Sequence, residues 1–140
     1  MQPSSTTTPQ TQEQKQKPML LIADDEEIIR ARLQDMGTML GFRVQTAKDG
    51  VEAWQFFQDL HPDIVVLDIY MPHMNGLAVM QRIKDSQPDC PVILITGFMH
   101  FEQLVQKNQI KPDGFISKPF NLNTVINALL KLVLNRGLKL

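Results

Sequence analysis

Residues 64–77 read IVVLDIYMPHMNGL, and this stretch decides the fold. Four consecutive apolar residues, 64–67, run straight into an acid, Asp68. An apolar run without alternation suits a strand covered on both faces, as in a parallel sheet. The pattern recurs on either side. Met19–Ala23 is apolar and is followed by Asp24, Asp25 and Glu26; residues 92–95 are apolar and are followed by Thr96. Weaker strands are predicted at Arg43–Ala47 and at residues 115–117, the latter followed by Lys118.

The segments between these strands carry helical spacing. Ile29, Leu33, Met36 and Leu40 form one stripe, and Val51, Trp54 and Phe57 a second. Leu77, Met80 and Ile83 form a third, and Phe101, Leu104 and Val105 a fourth. The fifth is the most regular: Leu122, Val125, Ile126, Leu129, Leu130 and Val133, with Asn121 as predicted N-cap. Strand and helix thus alternate five times, which predicts an α/β domain with a parallel sheet and right-handed crossovers.

Composition bounds the function. The chain has 140 residues, 43% hydrophobic and 21% charged, as in ordinary globular domains. No apolar run approaches the ~18 residues that a membrane-spanning helix needs. The formal net charge is −1, so no basic field exists for direct nucleic-acid binding. One cysteine, Cys90, precludes an intramolecular disulfide and a Cys-based zinc site, and fits a reducing cytoplasm. Residues 1–17 hold five Gln and four Thr with Met1 as the single apolar residue, and are expected to be a disordered polar tail. The folded domain is expected over residues 18–136, with a short C-terminal end at 137–140.

Ligands of doubly wound sheets bind at the carboxyl ends of the strands. Here each strong strand delivers a polar or charged residue to that edge. Neighbouring strands lie ~4.8 Å apart, so Asp24, Asp25 and Asp68 converge if the first and third strands are adjacent. Two like charges ~4 Å apart repel by ~4 kcal/mol at an effective dielectric of about 20. A divalent cation relieves that repulsion, and an all-oxygen set suits Mg²⁺. Capping of the following helix would explain Asp24 and Asp25 alone, but not Asp68 at the same edge. A carboxylate beside Mg²⁺ can attack phosphorus, with Lys118 and Thr96 supplying a cation and a hydroxyl for the developing charge.

The motifs LLIADDE (20–26), VVLDIYMPHMNGL (65–77), VILITG (92–97) and GFISKPF (114–120) resemble those of response-regulator receiver domains of two-component signalling. Their separations also agree: 43 residues from Asp25 to Asp68, 28 to Thr96 and 22 to Lys118. The resemblance implies a flavodoxin-like (βα)5 fold, strand order 2-1-3-4-5, with helices on both faces. It implies Asp68 as phosphoacceptor. Asp24 and Asp25 would hold Mg²⁺ with Asp68 and the backbone carbonyl of Tyr70. Thr96 and Phe115 would be the switch residues, Lys118 the phosphoryl-pairing lysine, and Lys118-Pro119 a cis peptide bond. Phosphoryl access would be shaped by Tyr70, Gly97 and Phe98. Both rings should exclude water and slow dephosphorylation. The implied partners are a sensor histidine kinase or phosphotransfer protein and a downstream target protein. A homodimer through the fourth and fifth helical stretches is a further option.

Three positions depart from the family pattern. Phe115 stands where many receivers carry Tyr. NQIKP (108–112) replaces a usual small-residue stretch. Asn75 stands where Asp is commoner, and no role is expected of it. His61, His73 and His100 lack ligand spacing; Trp54, Met71 and Met74 are expected to pack, and Cys90 to be a bystander. No output module is visible, so a stand-alone regulator is expected, the alternative being a receiver fragment of a larger regulator or hybrid kinase. The domain would catalyse only its own phosphorylation and slow dephosphorylation. A phosphohydrolase of the haloacid-dehalogenase type would need a second Asp where Tyr70 stands.

Overall fold

The computed structural model describes residues 17–97 and 111–140. Five strands are present: β1 (Met19–Ala23), β2 (Arg43–Ala47), β3 (Ile64–Asp68), β4 (Val92–Thr96) and β5 (Gly114–Ser117). Four helices are described: α1 (Glu27–Leu40), α2 (Gly50–Leu60), α3 (Gly76–Ser86) and α4 (Leu122–Arg136). The strands form one parallel sheet in the order β2-β1-β3-β4-β5, as the motifs imply. The fourth helical stripe, and with it half of the anticipated dimer face, lies outside the described residues, as does nearly all of the polar tail.

The strand runs are apolar on both faces because both faces are covered. Every residue of β3 and β4 is buried. Alternate strand residues divide between two cores. Leu21, Ala23, Val65, Leu67, Val92 and Leu94 face α2 and α3 through Ala53, Phe57, Val79, Met80 and Ile83. Leu20, Ile22, Ile64, Val66, Ile93 and Ile95 face α1 and α4 through Leu33, Met36, Val125, Leu129 and Val133. The edge strands β2 and β5 are only partly buried, which is why their sequences read weakly.

Three helix starts are fixed by side-chain caps. Asp49 accepts from Glu52 N at 2.8 Å, Asn75 from Ala78 N at 2.9 Å and Asn121 from Thr124 N at 3.0 Å. Asn121 matches the predicted cap; Asn75, expected to be idle, is one as well. Gly41 ends α1 with φ 110°, a conformation glycine adopts without a Cβ penalty.

Some apolar positions differ from the stripes. In α2 the buried set is Gly50, Ala53 and Phe57, while Val51 is exposed. Trp54 is half-buried, stacked on Phe57 at 5.6 Å with Arg82 over its ring at 5.8 Å. In α4, Leu122 and Leu130 stand at the margin of the covered stripe and are exposed. Met71 is buried and Met74 packs against the α2–α3 core. Cys90 is buried, and burial pushes its thiol up to about 11. Leu138 packs against the α1–α4 core, and Leu140 lies beside Gly41, so the C-terminal end rests on the domain.

Candidate functional site

The carboxyl ends of the central strands meet at one edge. Register pairs Ala23 with Leu67 and Asp68 with Ile95, so the residues after β1 and at the end of β3 are level. Potential ligand oxygens of Asp24, Asp25 and Asp68 lie within 4.8 Å of one another. Asp24 and Asp68 are buried; Asp25 is exposed. Thr96 ends β4 and is 1% exposed, and its carbonyl accepts from Lys118 N at 2.8 Å. That main-chain bond ties the end of β4 to the residue that follows β5.

Lys118 is the hub. Its Nζ donates to Asp68 Oδ2 at 3.1 Å and lies 3.0 Å from Asp24 Oδ2 and 3.7 Å from Glu26 Oε1. The Lys118-Pro119 bond is cis, as the motif implies. Asp24 Oδ1 accepts from Glu26 N at 2.8 Å, and Asp24 O accepts from Arg30 Nη1 at 2.9 Å. Asp24 therefore also orders the entry to α1, while Glu26 stands at the N-cap without a side-chain cap bond. Asp68 Oδ1 accepts from Tyr70 N at 3.3 Å.

Electrostatics set the chemistry. Burial, then the charge of Asp24, pushes the Asp68 carboxyl up to about 6 despite the attraction of Lys118. Burial likewise raises Asp24, partly offset by the Glu26 amide and the lysine. Burial alone would lower Lys118, but the two carboxylates outweigh it and hold the ammonium charged. One ammonium thus faces the carboxylates of Asp24, Asp68 and Glu26. Asp24 Oδ2 is fully buried and touches Lys118 only as an ion pair, outside hydrogen-bonding geometry. Three carboxylates whose oxygens lie within 4.8 Å of one another, two of them buried and served by a single ammonium, fit a hard divalent cation such as Mg²⁺.

A family profile described as "Response regulator receiver domain" matches residues 20–130. The chain belongs to the response regulator receiver domain family. This receiver domain is 33% identical over 121 residues to "Regulatory protein AtoC" of Escherichia coli (strain K12), covering 86% of the chain and 25% of that protein. It is 39% identical over 119 residues to "Probable transcriptional regulator ycf27" of Guillardia theta, covering 82% and 46%. Against "Autoinducer 1 sensor kinase/phosphatase LuxN" of Vibrio campbellii it is 35% identical, covering 86% and 14%. The chain spans about half or less of the length of these curated relatives. Among solved structures, response regulator protein TrrA from Thermotoga maritima, in complex with Mg²⁺-BeF, superposes with a TM-score of 0.75 at 31% identity, covering 82% of this chain and 98% of that one. A receiver domain protein from Clostridium thermocellum shares the fold with a TM-score of 0.78 at 22% identity, covering 86% and 97%.

The receiver domain brings together Asp24, Asp25, Asp68 and Lys118. Tyr70, two residues past Asp68, is 48% exposed, and Phe115 is exposed on β5. Gly97 is exposed beside Lys118, whose Cβ would lie 3.5 Å from a Cβ placed on the glycine. Phe98 lies outside the described residues. Sequence reasoning passed over Glu26, the third acid of the run, which reaches Lys118. Its position next to the acidic pair was the available signal.

Proposed function

We propose that the protein is a phosphorylation-controlled switch of two-component signalling, with Asp68 as the phosphoacceptor. The observation that carries this reading is Lys118 spanning Asp68 and Asp24 beside a third carboxylate, Asp25. Asp24, Asp25 and Asp68, with the backbone carbonyl of Tyr70, would hold Mg²⁺. Bound there, the ion would neutralise the carboxylates and draw charge from phosphoryl oxygens.

The residues act as follows. One Asp68 oxygen attacks the phosphorus of the donor. The bond to the donor's leaving nitrogen or oxygen breaks, and its electron pair departs with that group. Asp68 becomes an acyl phosphate. Lys118, already 3.1 Å from Asp68 Oδ2, offsets the charge that develops on the phosphoryl oxygens. Thr96, at the end of β4, supplies the hydroxyl donor. The added charge then shifts a pre-existing equilibrium between conformations, with Thr96 and Phe115 as the moving residues. A change from mostly off to mostly on requires ~5 kcal/mol of differential stabilisation.

The donor is a phosphohistidine on a sensor kinase or phosphotransfer protein, and the output is altered binding of a target protein. Among the described residues no helix is long and apolar enough to cross a membrane. We place the protein in the cytoplasm, where its one cysteine stays reduced. Intact-mass spectrometry tests the core of the proposal. Acetyl phosphate or phosphoramidate with Mg²⁺ should add one phosphoryl group, and Asp68→Asn should abolish it. Undiminished labelling of that variant would overturn the assignment.

A further inference from the structure

The loop from Asp68 into α3 is held from below by a glycine on another helix. Gly50 is the first residue of α2, and a Cβ placed on it would sit 1.7 Å from Met74 O and 2.7 Å from Met74 Cβ. The obstacle is main chain, so it cannot swing aside. Gly76 makes a second such approach: its Cβ would come within 2.2 Å of Asp68 O, and its N–H donates to Ile69 O at 2.7 Å. Residues 69–76 are therefore clamped between the end of β3 and the first turn of α2. Ile69 and Met71 are buried in the same core as Ala53 and Phe57 of α2, and Met74 packs against it. Within that loop, Tyr70 N holds Asp68 Oδ1 at 3.3 Å.

We propose that Gly50 is a positioning residue for the Asp68 site, setting the height of the 69–76 loop and through it the orientation of the Asp68 carboxylate. The inference rests on reading that site as the Mg²⁺ and phosphoryl pocket. Any side chain at position 50 must lift Met74 away from α2. The displacement runs back along a short, tightly turned segment in which Met74 N donates to Pro72 O at 2.8 Å and His73 holds φ 71°. The Tyr70 amide then leaves Asp68 Oδ1, and the carboxylate loses the contact that orients it toward Asp24 and Lys118. Gly50 itself touches none of the reacting groups.

The test is Mg²⁺ binding by calorimetry on the full chain, with phosphorylation from acetyl phosphate followed in parallel. Gly50→Ala should raise the Kd for Mg²⁺ at least fivefold and slow phosphorylation by a similar factor, at a temperature where near-ultraviolet circular dichroism shows native packing. Val51→Ala, one residue on and exposed, should change neither. A merely structural glycine would lower the melting temperature and leave the affinity of the folded protein unchanged; that result overturns the proposal. If Gly50→Ala does not fold, Met74→Gly loosens the loop without crowding α2. It should weaken Mg²⁺ binding at least threefold, and an unchanged Kd is again a refutation. If wild type binds no Mg²⁺ and takes no phosphoryl group, the reading of the site fails instead. If wild type does both and Gly50→Ala matches it, only the role of Gly50 fails.

Discussion

Replacing Asp68 with Asn should stabilise the metal-free protein at neutral pH while removing its phosphoacceptor. Asp68 is 5% exposed, and its carboxyl is raised from 3.8 to about 6. The folded state thus holds this proton more tightly than the unfolded chain does. For an acid raised in this way, stability falls as pH rises: the penalty is absent below the free value near 3.8 and complete above about 6. Each pH unit between the two values is worth about 1.4 kcal/mol, so the ionised carboxylate costs the fold up to about 3 kcal/mol. That figure already includes the attraction of Lys118. The neutral amide introduced by the substitution resembles the protonated acid and escapes the cost. Asp68→Asn should therefore be more stable by about 1–3 kcal/mol at pH 7.5 without Mg²⁺. For a domain of this size, that raises Tm by roughly 4–10 °C. The assay is urea or thermal unfolding at pH 7.5 and pH 4, with and without Mg²⁺. At pH 4 the gain should nearly vanish. Saturating Mg²⁺ should stabilise wild type more than the variant and close the gap at pH 7.5. An unchanged Tm at pH 7.5, or a gain that persists at pH 4, would refute the reasoning.

Asp25→Ala should weaken Mg²⁺ binding yet leave the metal-free fold as stable as wild type or slightly more so, because it thins the like-charge cluster; calorimetry with an unchanged Kd would contradict its role as a ligand. Lys118→Met should destabilise the protein by about 3 kcal/mol at pH 7, since it leaves Asp24 and Asp68 buried without their cation. The loss should shrink toward pH 4, as both carboxyls titrate above the ordinary aspartate value, and unfolding curves across that range check it. Wild type should lose its phosphoryl group slowly, and Tyr70→Asn/Phe98→Glu should speed the decay of radiolabelled protein by admitting and orienting water. Decay no faster than wild type would dismiss shielding by the two rings.

Local pattern carried most of the architecture. The buried strands β1, β3 and β4 are legible because a strand covered on both faces must be apolar at every position, and runs this short, with β3 and β4 rich in Val and Ile, suit a strand better than a buried helix. The residues at their carboxyl ends, Asp24, Asp68 and Thr96, were legible for the same reason: an apolar run has to stop where it meets a polar edge. Asn121 announced its helix because a side-chain cap is a local device. Distances and neighbours were not local. Only the strand order and register brought Lys118 to 3.0 Å from Asp24 and 3.1 Å from Asp68, since those groups stand 94 and 50 residues away in sequence and meet through the packing of four strands. The packing also decided which members of a stripe are covered. Leu122 and Leu130 are exposed because the face of α4 turned to the core is the one carrying Val125, Leu129 and Val133. Gly50 carries no signal of its own in the sequence; it matters because another segment's carbonyl occupies the space where its side chain would be.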